Sequence, residues 1–211
     1  MKLPKLTGDY AGISQINKFF EAKEKSFYEE ITNEFLEPLD MRRKDNPSAE
    51  IIEGLRSNWG RVADYELESI FEEVISVSAW LNGGMGGVNW LGKEGDTFDL
   101  NSGKRLELSD IFKISEEQYM DIIYDYVSRE IAGIIEASKE GMESYWFNDP
   151  YSGEGYETIR RFNPDDFYLA EKSLVVFYPK YTFASGAAGL SLNIFEIPYD
   201  DIRDVLAIDI S

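Results

Sequence analysis

The segment ISVSAWLNGGMGG (residues 75–87) determines the fold of this chain. Its apolar residues alternate with Ser76, Ser78 and Trp80 at the period of two that is typical of a β-strand. Tyr65 and Leu67 precede it in a similar pattern, so the sequence predicts a hairpin or meander. Glycines at this density weaken a strand, and we expect a bend or bulge over Gly83–Gly87 before the strand pattern resumes at Val88. The alternating apolar residues are Ile75, Val77, Ala79 and Leu81.

One long helix is predicted before this strand region in the sequence, and a second one is predicted after it. The first spans about Ser14 to Leu36, where apolar residues recur on one helical face, and Pro38 ends it. The second starts at a capping box formed by Ser115 and Gln118, and Gly141 is its predicted stop. The predicted buried stripes are Ile16, Phe20, Phe27, Ile31 and Phe35 on the first helix, and Ile123, Val127, Ile131 and Ile134 on the second.

Further strands are predicted in the last quarter of the chain. Residues 167–170, 174–178 and 192–197 have strand patterns, and Pro198 before two aspartates opens a short final helix. Strands and helices occur in mixed runs without regular βαβ alternation. We therefore expect an α+β fold in which an antiparallel sheet packs against two long helices, with a short C-terminal helix.

The charge of the chain limits its partners. Among 211 residues, 40 acidic side chains oppose 21 basic ones, and the formal net charge is −19. This field repels phosphate backbones and anionic lipid surfaces, so we expect no nucleic-acid partner. The net negative charge favours cationic partners or divalent ions. Alternatively, its only effect is to increase solubility. The sequence has no apolar stretch long enough for a transmembrane segment.

The residue types that are missing exclude much enzyme chemistry. The chain has no histidine and no cysteine, which removes the Ser-His-Asp triad, thiolate nucleophiles and the usual zinc ligands. Neither Ser-x-x-Lys nor Gly-x-Ser-x-Gly occurs, so only carboxylate chemistry remains. We expect a non-enzymatic protein with no catalytic residue, no metal and no cofactor.

Four patterns that resemble functional motifs have simpler explanations. The glycine segment at residues 83–87 lacks the lysine of a phosphate-binding loop. The segment Ser185–Gly189 lacks it as well, and we interpret that segment as a connection between strands. Asp99–Gly103 resembles the start of a calcium loop, but Lys104 occupies the position that needs glycine, so a hairpin turn is predicted. Neighbouring carboxylates such as Asp165 and Asp166 diverge in space, and solvation explains them.

Aromatic residues near the glycine-rich segments are the only candidates for a binding surface. Trp80 and Trp90 flank the first glycine segment, and aromatics beside glycine can form a platform for a sugar or a peptide. The alternative is that they belong to the core or rim of the sheet. The candidate partner- or ligand-binding residues are Trp80, Met85, Trp90, Tyr181 and Phe183.

The order of several motifs resembles a bacterial extracytoplasmic domain of unknown function. These motifs lie between about residues 60 and 206 and include Ile75–Ser78, Phe98–Lys104, Leu108–Phe112, Leu174–Tyr178 and Ile197–Tyr199. Upstream, Pro4–Gly8 and Ile16–Asn17 resemble the module that precedes this domain in PdaC-like peptidoglycan deacetylases and lysozyme-sensing anti-sigma factors. Family members commonly have a histidine in the glycine turn, where this chain has Met85.

The resemblance implies an exported, anchored cell-envelope domain, with a PdaC-like module over residues 1–88 and a C-terminal domain over 89–211 in one compact unit. The first functional hypothesis is a non-catalytic sensing or binding domain that docks a cationic protein such as lysozyme, or cell-wall material. The second is a carboxylate-based enzyme or accessory that acts on peptidoglycan, which needs two carboxylates facing each other across a cleft. The third is a purely structural domain.

Overall fold

The computed structural model describes residues 3–33, 60–85, 88–137, 148–183 and 193–210. Within them the chain folds into six strands, five helices and a 3₁₀ turn. The strands are β1 (Gly60–Ile70), β2 (Val74–Met85), β3 (Val88–Asp99), β4 (Phe167–Leu169), β5 (Ser173–Tyr178) and β6 (Asn193–Pro198). The helices are α1 (Ile13–Ile31), α2 (Leu108–Ile111), α3 (Glu116–Ala137), α4 (Gly153–Ile159) and α5 (Tyr199–Ile202), and the 3₁₀ turn is Arg203–Val205.

The predicted meander is the first sheet, with β2 in its centre between β1 and β3. The alternating segment pairs antiparallel with both neighbours, and Trp80 lies opposite Asp64 on one side and Lys93 on the other. The predicted bend or bulge includes no bulge at Gly83 and Gly84, where β2 continues in register, and Gly86 and Gly87 lie outside the described residues. The register shift of this sheet lies on β1, between Leu67 and Ser69.

The expectation of one sheet was wrong, because β4, β5 and β6 form a separate antiparallel sheet in that order. Strand β5 is buried along its whole length. Leu174 and Val176 belong to the main core, whereas Val175 and Phe177 pack with Tyr168 in a second cluster. A strand with apolar residues on both faces needs cover on both sides, which a single sheet with one solvated face does not provide.

Each sheet has its own long helix. Ile16 and Phe20 of α1 pack against Ile75, Val77 and Phe98 of the first sheet. Helix α3 packs its buried stripe into the main core with the second sheet. Two long helices are therefore present, but they cover two different sheets. The α3 residues of this stripe are Ile123, Val127 and Ile131, packed with Leu169, Leu174, Val176 and Ile197.

The ends of the two long helices differ in part from the predicted ones. Ile134 was expected in the buried stripe of α3, but its side chain is 42% exposed because the core ends at Ile131. At the start of α3, Gln118 Oε1 accepts a hydrogen bond from the backbone N–H of Ser115 at 3.1 Å, which is one half of the predicted capping box. Phe35, Pro38 and Gly141 lie outside the described residues, as does the Ser185–Gly189 connection.

The predicted hairpin turn at residues 99–104 is confirmed. The N–H of Gly103 donates to the carbonyl of Asp99 at 2.8 Å, and the N–H of Asp99 donates to the carbonyl of Lys104 at 3.0 Å. Gly103 has a φ of +73°, a left-handed conformation that glycine adopts without strain. The turn also anchors the start of α1, because the N–H of Gly12 donates to the carbonyl of Leu100 at 2.9 Å.

The two sheets meet through hydroxyl groups, which we call the hydroxyl seam (Ser69, Ser76 and Thr97). Ser69 Oγ donates to the carbonyl of Leu169 on β4 at 2.7 Å, and the N–H of Leu169 donates to Ser76 Oγ at 2.9 Å. Ser76 Oγ also lies 2.8 Å from Thr97 Oγ1. Both faces of β2 are thus buried, the apolar face under α1 and the serine face under β4.

The strands also pass close to one another at this crossing. A Cβ atom added to Gly95 of β3 would overlap the carbonyl oxygen of Phe167 on β4 and lie 3.0 Å from Tyr168 Cβ. Only a residue without a side chain therefore fits at position 95. The helices in the described ranges lack the combination of length and apolar character that a membrane crossing needs.

Candidate functional site

A charged cleft of about 310 Å³ lies between α1, β3 and the turn that precedes β4. Its walls carry two basic and four acidic side chains, next to the ring of Phe19. The charged residues are Lys23, Glu94, Asp96, Arg105, Asp165 and Asp166. Acidic groups outnumber basic groups, so an additional positive charge is favoured in this cleft.

The register of β3 places the central carboxylate of the cleft. Asp96 lies opposite Val77, and Glu94 lies opposite Ala79, so both carboxylates share the apolar face of β2 that α1 covers. Lys23 of α1 reaches both of them, with Nζ 2.6 Å from Asp96 Oδ2 and 2.8 Å from Glu94 Oε2. Burial opposes the charge of Lys23, but the two carboxylates outweigh it and raise the lysine pKa.

A second cation secures the other side of Asp96. Arg105 follows the hairpin turn, and its Nε donates to Asp96 Oδ1 at 2.8 Å. The same guanidinium donates from Nη1 to Asp165 Oδ1 at 3.1 Å. Asp96 is almost fully buried, and these two cations compensate for the cost of burying its charge. The carboxylate of Asp96 therefore holds together α1, β3 and the turn before β4.

Asp166 is the one carboxyl of the cleft that forms no ion pair with any described residue. It is half-buried, and its Oδ1 accepts a hydrogen bond from Asn163 Nδ2 at 3.1 Å. Burial raises the pKa of Asp166 to about 6, and the negative charges of Asp165 and Glu94 add to this effect. Solvation was the predicted explanation for the Asp165–Asp166 pair, but only Asp165 is exposed.

The raised pKa of Asp166 gives a testable pH dependence. A carboxyl whose pKa is higher in the folded state contributes stability at low pH, which is lost as the pH rises through about 6. We expect Asp166→Asn to raise the free energy of unfolding relative to wild type at pH 7.5, and this gain to vanish near the ordinary aspartate pKa of about 4. Urea unfolding of both proteins across this range measures it. Glu157→Gln, an exposed carboxyl on α4, should show no such trend.

A buried lysine lies on the opposite face of the first sheet. Lys93 Nζ is 2.6 Å from Ser78 Oγ and 3.5 Å from Glu68 Oε1, and Ser78 Oγ also donates to the Glu68 carboxylate. The rings of Trp80 and Tyr168 enclose the ammonium group at 4.4 and 5.0 Å. Burial lowers the pKa of Lys93 despite the nearby glutamates.

This arrangement resembles a serine–lysine pair, which the sequence could not reveal because the residues lie on different strands. The Lys93 side chain is only 2% exposed, and Ser78 is equally inaccessible. A nucleophile must reach its substrate, so the pair does not form an accessible catalytic site. It links β1, β2 and β3 to Tyr168 of the second sheet.

The predicted binding residues that the structure describes have different surroundings. Trp80 is half-buried against Lys93, and Tyr181 is 46% exposed with the Lys180 ammonium 4.9 Å from its ring. Phe183 was expected at a surface, but it is fully buried because its ring packs against Tyr178 and Phe195. Met85 ends β2 and Trp90 lies on β3, opposite Gly83, and their side chains lie outside the described part of the chain.

Sequence reasoning did not predict that the residues of the cleft lie together. Lys23 falls on a helix, Asp96 within a strand, and Arg105 after a turn, and no spacing links them. The only available signal was the polar sequence Lys93–Asp96, which interrupts an otherwise regular strand pattern. Among the described residues, no group of three or more carboxylates is placed to hold a metal ion.

The fold and the cleft thus define an α+β protein with two helix-covered antiparallel sheets and an acidic cleft at one side of the first. Residues 109–200 match the model of a family described as protein of unknown function (DUF3298). The match runs from α2 to α5 and includes the whole second sheet. The expected similarity to a domain of unknown function is confirmed for this segment. No curated protein matches the chain significantly.

Two crystal structures extend this similarity over most of the chain. A DUF3298 family member from Bacteroides fragilis NCTC 9343 is 16% identical with a TM-score of 0.56, over 90% of this chain and 70% of that one. A DUF3298 family protein from Pseudomonas aeruginosa PAO1 is 15% identical with a TM-score of 0.50, over 82% of this chain and 76% of that one. Similarity at this level shows a shared fold.

Proposed function

We propose that this chain is a non-catalytic, extracytoplasmic binding domain whose acidic cleft docks a cationic protein such as lysozyme. One observation carries the proposal: the half-buried carboxyl of Asp166 forms no ion pair with any described residue and lines a cleft with a surplus of acidic groups. A basic side chain of a partner would supply the missing counter-charge. It would also return the pKa of Asp166 toward its ordinary value, because a nearby positive charge favours the ionised carboxyl.

The charge of the whole chain supports the same partner. A net charge of −19 attracts basic proteins over long distances and speeds their encounter. Long-range attraction alone does not select one basic protein over another. In this proposal the selection comes from the cleft, where the carboxyl of Asp166 can accept hydrogen bonds from a guanidinium or ammonium group and the exposed Asp165 adds a second negative charge.

The proposal predicts binding that depends on two named carboxylates. We expect lysozyme to bind saturably at about 0.15 M salt, where the screening length is about 8 Å. The double variant Asp165→Asn/Asp166→Asn should weaken binding at least about tenfold, in line with the loss of one charge-assisted contact. The matched control Glu154→Gln/Glu157→Gln removes the same charge from α4 and should change affinity less than about threefold. Calorimetric titration measures all three.

An equally basic unrelated protein completes the experiment. If it binds as tightly as lysozyme, or if both double variants weaken binding equally, the acidic surface is merely attractive to cations and the proposal fails. If lysozyme does not bind at all, the docking role is contradicted as well. A soluble cell-wall fragment in the same titration tests the alternative ligand that the resemblance implies.

The alternative, a carboxylate-based enzyme acting on peptidoglycan, is favoured by the raised pKa of Asp166. A carboxyl with a pKa of about 6 can donate a proton near neutral pH, and the side chains of Glu94, Asp96 and Asp165 lie in the same cleft. This hypothesis requires turnover of a cell-wall glycan that Asp166→Asn abolishes. Binding without turnover supports the docking role instead.

A further inference from the structure

A second and larger groove, of about 620 Å³, lies on the other side of the molecule's second sheet, between α3, β6 and α5. It shares no residue with the charged cleft. Its apolar lining comes from Ile122 of α3, Ile197 of β6 and Ile202 of α5, of which the last two are buried core residues. Tyr126 and the exposed Tyr151 add aromatic surface. A mainly apolar lining with a few polar groups is typical of a small-ligand site.

Three charged side chains line this groove without an ion pair to any described residue. Asp125 and Arg129 lie four residues apart on α3, a spacing that often produces an ion pair, but neither forms one in the described part of the chain. Arg129 instead lies over the ring of Tyr126, with Cζ 5.3 Å from the ring centre. Asp201 projects from α5 and accepts no hydrogen bond from any described residue. Two negative charges and one positive charge therefore surround an apolar floor.

The aromatic wall of the groove is fixed in position. The hydroxyl of Tyr126 donates a hydrogen bond to the carbonyl of Glu196 on β6 at 2.6 Å. Burial raises the pKa of Tyr126, and the charges of Glu130 and Asp201 add to this effect and outweigh the opposing charge of Arg129. This bond ties α3 to β6 and holds the platform on which Arg129 rests. A preformed wall lowers the ordering cost of binding.

We propose that this groove binds the carboxyl-terminal end of a short basic peptide whose last residue is aliphatic. The aliphatic side chain lies on the isoleucine floor, the terminal carboxylate pairs with Arg129, and basic side chains pair with Asp125 and Asp201. The charges of such a ligand, two positive and one negative, are complementary to those of the groove.

Other occupants fit the same charges less well. An uncharged apolar helix would bury three charged groups without partners, which is costly. A phosphate-bearing ligand would meet the repulsion of Asp125 and Asp201, in addition to the net charge of the chain. A peptide terminus satisfies all three groups, and its recognition by a guanidinium follows the preference of arginine for planar carboxylates.

The test compares acetyl-Lys-Lys-Leu, which carries a free terminal carboxylate, with the same peptide amidated. The amidated form has the higher positive charge, so general attraction to this acidic protein would favour it. We expect the opposite, with the free carboxylate binding about tenfold more tightly at about 0.15 M salt. Arg129→Gln should remove this preference by weakening only the carboxylate peptide. Calorimetry measures both affinities in the full chain.

The matched control is Arg161→Gln, which removes an exposed arginine outside the groove. It should leave the tenfold preference unchanged. The proposal is overturned if the amidated peptide binds as tightly as the free acid, if the two arginine variants behave alike, or if neither peptide binds at millimolar concentration. The lysozyme titration concerns the other cleft, so either proposal can fail alone.

Discussion

Gly95→Ala is expected to lower the free energy of unfolding by about 3 kcal/mol or more. The added methyl group would overlap the backbone carbonyl of Phe167, which cannot rotate away as a flexible side chain could. The overlap can be removed only if β3 and β4 move apart, and this movement would lengthen the hydrogen bonds of the hydroxyl seam. Urea or thermal unfolding monitored by tryptophan fluorescence measures the loss.

The control for this substitution is Gly133→Ala. Gly133 lies in α3, and a Cβ atom there meets no atom within 4 Å. Alanine at an exposed helix position is favoured over glycine, so this variant should gain about 0.5–1 kcal/mol. Equal effects of the two substitutions would show that the sheets do not cross as closely at Gly95 as the structure indicates.

The second large effect is expected for Asp96→Ala. Removal of the buried carboxylate leaves Lys23 and Arg105 close together without their shared partner. Breaking a buried ion pair from one side costs about 3–5 kcal/mol, and we expect about 3 kcal/mol because both cations are partly exposed. Unfolding curves in denaturant give the difference from wild type.

An exposed ion pair is the comparison for Asp96. Glu29 pairs with Lys25 on the surface of α1 at 3.7 Å, and both side chains are largely exposed. Glu29→Ala should therefore change stability by no more than about 0.5 kcal/mol. If Asp96→Ala had an equally small effect, the link between α1, β3 and the turn before β4 would be energetically unimportant.

Local pattern was sufficient for most elements of the fold. The alternation at Ile75–Leu81 identified the central strand β2, and the helical spacing of Ile123, Val127 and Ile131 identified the buried face of α3. The turn at Asn101–Gly103 followed from residue type, because its left-handed glycine has few alternatives. These signals depend only on residues that are close together in sequence, so they can be recognised without knowledge of the tertiary fold.

The pairing of strands could not be predicted in the same way. The apolar pattern of β5 does not identify β4 and β6 as its partners. The sequence therefore did not predict the second sheet. Within β3, the stretch Lys93–Asp96 is polar and contains a glycine, so it has no strand pattern of its own. In the structure Lys93 and Gly95 contact β4 of the second sheet, whereas Glu94 and Asp96 pair with Lys23 of α1. These contacts stabilise β3 as one continuous strand.

The candidate site was the least predictable part. Its members come from α1, β3, a turn and the segment before β4, and only the tertiary fold brings them together. Phe183 shows the opposite case, since an aromatic residue near glycines indicated a surface, whereas packing against Tyr178 and Phe195 placed it in the core. Aromatic side chains bury a large apolar area, so a core position is their usual role.

The hydroxyl seam has a consequence for the behaviour of the protein in concentrated solution. Strand β4 lies at the edge of the second sheet, and edge strands offer unpaired backbone groups that can recruit a strand of another molecule. At Leu169 both groups are already occupied, the carbonyl by Ser69 and the N–H by Ser76. Another chain could extend the sheet there only by displacing these serines, so the seam protects this edge against aggregation.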